Sequence, residues 1–261
     1  MGRSYKDIKY DLWYNLEKLG ILPGDIEFAV KGNPGSKIFS YATVPLVGAN
    51  EGTTYKNGGV LTNTSTQSRL TFDNIFSGMT DISIISEFDL LTGSINSAGI
   101  ISNWKSNSEM SLIFFTGSDG KIYVRTRVTS NSDIRTTSVY QTTAGLKKWG
   151  FTRAGSTDNR EIYVDGKVVP TTVSGSEPGA LAAWSAPMYI NQYANGVRQQ
   201  LHANWKQVLV FSKTLSPNRM QAVSNTDIWQ PRPDISYFET AAEQPTLLPI
   251  YFNHYNKNIG T

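Results

Sequence analysis

Apolar and polar residues alternate with a period of two along much of the second half of the chain. In KIYVRTRVT (121–129), Ile122, Val124, Thr126 and Val128 share one side, and Tyr123, Arg125, Arg127 and Thr129 share the other. That is the pattern of a half-buried β-strand. Trp205, Gln207, Leu209 and Phe211 alternate in the same way with Lys206, Val208, Val210 and Ser212. Further β-rich runs occur at 80–91, 98–104, 110–117, 147–155, 161–169, 187–194 and 202–215. Between them stand Asp119-Gly120, Asp165-Gly166 and Asn195-Gly196, dipeptides that accept the left-handed backbone of hairpin turns. Evenly spaced antiparallel strands over about 160 residues predict an all-β sandwich or jelly roll.

One helical pattern precedes them. Ile8, Leu12, Leu16 and Leu19 recur at spacings of four, four and three, with Tyr5 and Trp13 beside them. Ser4 with Asp7 resembles a capping pair, and Gly20 followed by Pro23-Gly24 supplies a stop. Such a helix packs either on its own domain or on a partner protein. Gly, Pro, Asn and Thr interrupt every apolar run in 21–68, which predicts a loop-rich arm with a few short strands. Residues 215–225 predict a second, short helix with Ser216 as N-cap and Pro217 in the first turn. The tail after Trp229 carries four prolines together with Tyr237, Phe238, Tyr251, Phe252 and Tyr255. Disordered tails are poor in aromatics, so this one is expected to lie extended over a surface, its own or a neighbour's. The expected organisation is an N-terminal helix and loop arm over 1–68, a β-domain over 69–228 and an extended tail over 229–261.

Four stretches resemble the laminin G-like branch of the concanavalin A-like lectin/glucanase superfamily. They are TDISIISEFDL (80–90), MSLIFFTGSDGKIYVRT (110–126), KKWGFTRAGSTDNREIYVDGKVV (147–169) and WKQVLVFSKTLSPNRMQAVSN (205–225). The third, a Trp-led strand followed by a hairpin ending in Tyr163-Val164-Asp165-Gly166-Lys167, is the most specific. The resemblance implies a concanavalin A-like jelly roll. SNTDIWQPRP (224–233) is similar to the ending of laminin G-like domains in bacteriophage virion proteins, although Asp227-Ile228 stands where that family usually has Asn-Pro. It implies a virion structural protein, assembled in the host cytoplasm, that decorates or reinforces a capsid. A tail-associated carbohydrate-binding adhesion module is the alternative, and a glycan hydrolase a distant third.

Composition agrees with a folded, cysteine-free domain. The 261 residues are 39% hydrophobic and 17% charged, with no cysteine and a net charge of +3. No disulfide scaffold or thiol-ligated metal site can form. Without a basic run, nucleic-acid binding has no support. No apolar stretch is long enough to span a bilayer, and the first thirty residues show no apolar segment of the signal-peptide kind.

Candidate chemistry is sparse. Glycanases of the superfamily use a strand-borne E-x-D-x-E pattern, and the nearest match here is Glu87-Phe88-Asp89-Leu90-Leu91, which lacks the third carboxylate. His202 and His254, the only two histidines, lie in no recognisable motif. No catalytic residue and no cofactor is therefore expected. Calcium alone stays open, because it needs only oxygen ligands of the kind carried by Asn103, Asp119, Asp158 and Asn159. Sugar sites pair an aromatic ring with amide or charged groups, a mix found in two loops. One is Asn103, Trp104 and Lys105 with Asn107, and the other is Asn191, Gln192 and Tyr193 with Asn195 and Arg198. Ile8, Leu12, Trp13 and Leu16 on the helix, with the five tail aromatics, are the candidates for docking on other virion proteins. Partners expected on this reading are capsid or tail subunits, further copies of the chain and a bacterial surface glycan.

Overall fold

The structure is a computed structural model. It describes residues 5–31, 38–42, 46–51, 53–56, 59–62, 68–91, 97–106, 108–140, 143–192 and 200–232. Helix α1 spans Tyr5–Lys18 and α2 spans Pro217–Asn225. The strands run in chain order as β1 (Ile26–Lys31), β2 (Ile38–Phe39), β3 (Val47–Glu51), β4 (Thr54–Lys56), β5 (Gly59–Leu61) and β6 (Arg69–Phe72). Then come β7 (Ile82–Leu90), β8 (Ala98–Ser102), β9 (Leu112–Thr116), β10 (Ile122–Arg127), β11 (Asn131–Thr136) and β12 (Gly145–Ala154). The last are β13 (Asn159–Val164), β14 (Lys167–Val168), β15 (Thr171–Ser174), β16 (Met188–Ile190) and β17 (Ala203–Phe211).

The strands form two antiparallel sheets. An eight-stranded sheet has the order β14-β13-β12-β7-β17-β5-β4, with β1 also on β17; a nine-stranded sheet has the order β15-β11-β10-β9-β8-β16-β6-β3-β2. The chain crosses between sheets repeatedly, as after β7, β11, β14 and β16, which is jelly-roll wiring. Residues 26–61, expected to form a loop-rich arm, supply β1, β4 and β5 to one sheet and β2 and β3 to the other. Among the described residues, neither helix is long and apolar enough to cross a membrane.

Strand alternation builds the core. Ile82, Ile84, Phe88 and Leu90 of β7 face Ile122, Val124 and Phe114 of the other sheet within one continuous apolar cluster. At its centre Phe88 meets the edge of Trp149 at 5.1 Å and lies tilted on Trp205 at 4.6 Å. Burying each such side chain stabilises by about 1.5–3 kcal/mol. The strand β17 departs from the expected alternation. A bulge between Trp205 and Gln207 shifts its register against β7. Trp205 therefore shares the core with Val208 and Val210, while Gln207, Leu209 and Phe211 point to the opposite side.

That opposite side of the eight-stranded sheet is covered by both helices. Leu12 and Leu16 of α1, with Met220 and Val223 of α2, pack on Ile85, Leu209 and Phe211 in a second core. Leu12 and Leu16 are 0% exposed. The docking role expected of Leu12 and Leu16 is thus corrected: a partner cannot reach them, because they are already buried in their own chain. Ile8 and Trp13 are partly buried against the same cluster. Ile228 and Trp229 close it, and Asn15 Nδ2 donates to the carbonyls of Ile228 (3.1 Å) and Gln230 (2.9 Å). The Ile228-Trp229 pair is therefore a clip that closes this second core. Tyr237, Phe238, Tyr251, Phe252 and Tyr255 lie outside the described residues.

The Asp165-Gly166 turn has the left-handed backbone expected of it, with φ of 52° and 75°. A Cβ on Gly166 would also stand 2.9 Å from Gln221 Cα, so α2 can lie over this turn only because the residue is glycine. Ser216 holds the N-cap position of α2 with Pro217 behind it, but its side chain makes no capping hydrogen bond.

Candidate functional site

The two loops expected to hold sugar separate in the structure. Asn103 is 0% exposed. Its Oδ1 accepts from the backbone N–H of Ser111 and Leu112 at 2.9 Å, and its Nδ2 donates to Ser111 Oγ at 3.0 Å. Asn191 is also 0% exposed, in a left-handed conformation with φ 65°. Its amide bridges Ser68 O and the N–H of Leu201, each at 2.9 Å. Both asparagines are internal braces, because loops that turn back under a sheet leave backbone groups that need a partner. This corrects their expected place on an open ligand surface. Trp104 is half-buried on Met110, Ile113 and Phe115. Lys105 is exposed and pairs with Glu109 at 3.2 Å. Tyr193, Asn195, Arg198 and Asn107 lie outside the described residues.

The carboxylates of the incomplete glycanase pattern are engaged elsewhere. Glu87 accepts from Gln207 Nε2 at 2.8 Å and lies 3.8 Å from Lys148 Nζ; Asp89 pairs with Lys206 at 3.2 Å. Gln207 in turn accepts from Trp229 Nε1 at 2.6 Å. Both carboxylates belong to the face on which the helices pack.

The calcium donors fit no better. Asp158 is 0% exposed at its side chain and is bound by Arg153 at 3.1 Å and Arg160 at 3.2 Å, two guanidiniums that would repel a cation. Arg153 also donates to the carbonyls of Thr80, Glu177 and Gly179, and Asp158 Oδ2 accepts from the N–H of Glu177. Among the described residues no group of three or more His, Cys, Asp or Glu is placed to hold a metal. The side chain of Glu177 then closes the same end of the sandwich. Burial alone would raise its carboxyl group, but hydrogen bonds from Ser130, Val128 and Thr129 outweigh that and pull its pKa down to about 2.

The nine-stranded sheet carries no helix on its outer face in the described residues, and there a different set of side chains comes together. Cross-strand pairing places Phe115, Tyr123, Arg135 and Thr172 in one row over β9, β10, β11 and β15. Ile113, Arg125, Asp133 and Ser174 form the next row. Phe115 and Tyr123 stack with centroids 5.1 Å apart, above the small apolar cluster that includes Trp104. The Tyr123 hydroxyl donates to Asp119 Oδ2 at 2.9 Å and accepts from Arg135 NH1 at 3.5 Å. Burial foremost, with Asp119 nearby, raises the Tyr123 pKa, so the phenol stays protonated. Arg135 Nε donates to Thr172 Oγ1 at 3.2 Å, and Arg125 grips Asp133 through two bonds of 2.7 and 2.8 Å. Gly117 permits this arrangement: a Cβ there would stand 2.5 Å from the Tyr123 ring and 2.7 Å from Asp119 Oδ1. The row combines an aromatic ring, hydroxyls and a guanidinium, with the Asp119 carboxylate of the adjoining turn beside them, which suits a polyhydroxylated ligand.

The alternation of Tyr123, Arg125 and Arg127 was visible in the sequence. Their partners Asp133, Arg135 and Thr172 carried no local signal, because pairing with β11 and β15 brings them there.

No family model matches the chain, and no curated protein matches its sequence. Solved structures do match. The binding domain of Paraclostridial Mosquitocidal Protein 1 is 13% identical over 78% of this chain and 52% of its own, with a TM-score of 0.62. The binding domain of botulinum neurotoxin DC, in complex with SialylT, is 14% identical over 78% and 51%, with a TM-score of 0.60. A Trypanosoma rangeli sialidase in complex with a difluoro-nononic acid is 10% identical over 77% and 32%, with a TM-score of 0.57. The chain thus spans about half the length of the first two and about a third of the sialidase chain. At such identities the likeness speaks for architecture, and with the sheet topology it makes this chain an all-β jelly-roll sandwich.

Proposed function

We propose that the chain is a non-catalytic, lectin-like module that recognises a glycan on the outer face of its nine-stranded sheet. One observation carries this reading: helices pack on the outer face of the eight-stranded sheet, whereas the opposite outer face presents the Tyr123, Arg135 and Thr172 row beside the buried Phe115. The carboxylates that a glycanase would need are engaged by Gln207, Lys148 and Lys206, which supports binding over hydrolysis. The matched sialidase in complex with a nononic acid supports sugar recognition on a related architecture.

The setting we propose is a phage virion, where the module decorates or reinforces the capsid or serves as a tail-associated adhesin. The support is the resemblance of SNTDIWQPRP to the ends of virion domains. Docking through α1 loses ground now that Leu12 and Leu16 are internal, so attachment to a neighbour falls to Ile8, Trp13 and the aromatic tail. Removing 233–261 spares all the packing described above and is the cleaner test of particle association than removing α1.

The glycan reading is tested on a printed glycan array with the full chain and its Tyr123→Phe variant. Phenylalanine keeps the stack on Phe115 but removes the hydroxyl that joins Asp119 to Arg135. The expected result is glycan retention by the parent and about tenfold weaker binding by the variant at unchanged thermal stability. Equal binding by both proteins would place the ligand elsewhere.

A further inference from the structure

Resting on that reading, we infer that the ligand of this face is a carboxylate-bearing glycan, and that Arg135 is the residue that selects for the acid. The inference starts from how Arg135 is held. Most surface arginines are either mobile or neutralised by a carboxylate. Arg135 is exposed, yet its Nε donates to Thr172 Oγ1 at 3.2 Å and its NH1 is directed at the Tyr123 hydroxyl at 3.5 Å, both neutral acceptors. Those bonds use two of the five N–H groups of a guanidinium, and the side chain makes no ion pair with a carboxylate among the described residues.

The carboxylates nearby are committed to other groups. Asp133 is gripped at both oxygens by Arg125. Asp119 accepts from the Tyr123 hydroxyl and from the N–H of Lys121, whose ammonium lies 3.9 Å away. Around Arg135 on this face, Lys121 and Arg125 stand beside two carboxylates, Asp119 and Asp133, both of them already engaged. A positioned guanidinium with no carboxylate in direct ion pair favours a planar anion it can bind through two parallel bonds. Because those two bonds already restrict its rotamer, less entropy is lost when the anion arrives. The Tyr123 ring beside it, held on the buried Phe115, suits the carbon skeleton of a sugar better than an isolated inorganic anion.

The experiment uses the full chain on an array printed with uronic- and nonulosonic-acid glycans, each beside its carboxyl-reduced counterpart, together with neutral glycans and a polyglutamate peptide. The expected result is retention of at least one acidic glycan, with about tenfold or more loss on reduction of its carboxyl group. Arg135→Gln should abolish the difference between the two forms, and Arg135→Lys should restore only part of it, since an ammonium cannot make the paired bonds. Equal binding of the acid and reduced forms, or retention of neutral glycans alone, overturns the acid inference and leaves glycan recognition standing. Polyglutamate binding as tight as that of the acidic glycan would also overturn it, pointing to acidic peptides. Failure of every glycan overturns both readings.

Discussion

Asp158→Ala is expected to destabilise the fold by about 3–5 kcal/mol, the cost of stripping the partner from buried charge. Asp158 holds Arg153 and Arg160 together, and the side chains of all three residues are at most 1% exposed. Its Oδ2 also receives the N–H of Glu177, so the carboxylate ties the β12–β13 hairpin to the segment that follows β15. Without it, two guanidiniums remain side by side away from water, and like charge and desolvation both act against them. Equilibrium unfolding in urea reads the loss as a lower midpoint; a change below about 1 kcal/mol would contradict the account of this network. Acid acts on the same region through Glu177. Its folded pKa of about 2 lies below the ordinary 4.5. Its contribution is therefore fully present above the ordinary value and is lost as pH falls from there through about 2.

Leu16→Ala should cost about 2–5 kcal/mol, as for other fully buried leucines. The side chain is 0% exposed and belongs to the cluster under α1 that Ile85, Leu209, Phe211 and Trp229 share. Were α1 a docking device that left the sandwich intact, the substitution would spare stability and weaken association with a partner. Thermal unfolding of the isolated chain separates the two cases, because only an internal helix predicts a marked fall in the midpoint.

Local pattern and long-range pairing divide what could be read from the chain. Ile122, Val124 and their polar alternates disclosed both faces of β10, and Asp165-Gly166 disclosed its turn, because each signal sits within a few residues. The alternation of β17 breaks at one position. A single extra residue at the bulge moves Trp205 to the core, and no composition rule marks where a bulge falls. Asn103 and Asn191 looked like ligand groups because an amide that braces a loop and one that binds a sugar hydroxyl are the same chemistry; only burial separates them. The helix periodicity located α1 but left open whether Leu12 and Leu16 meet their own sheet or another protein. The Arg153, Asp158 and Arg160 cluster and the Tyr123 and Arg135 row depend on register between strands, which the sequence shows only after the fold is known.

On the proposed reading, the outer face of β9, β10, β11 and β15 receives the ligand. Amide chemical-shift mapping of the full chain, titrated with the acidic glycan retained most strongly on the array, tests it directly. Shifts should concentrate at residues 115–123, 133–135 and 172, with α1 and α2 unmoved. Shifts confined to the helical side, or spread without focus, would contradict it.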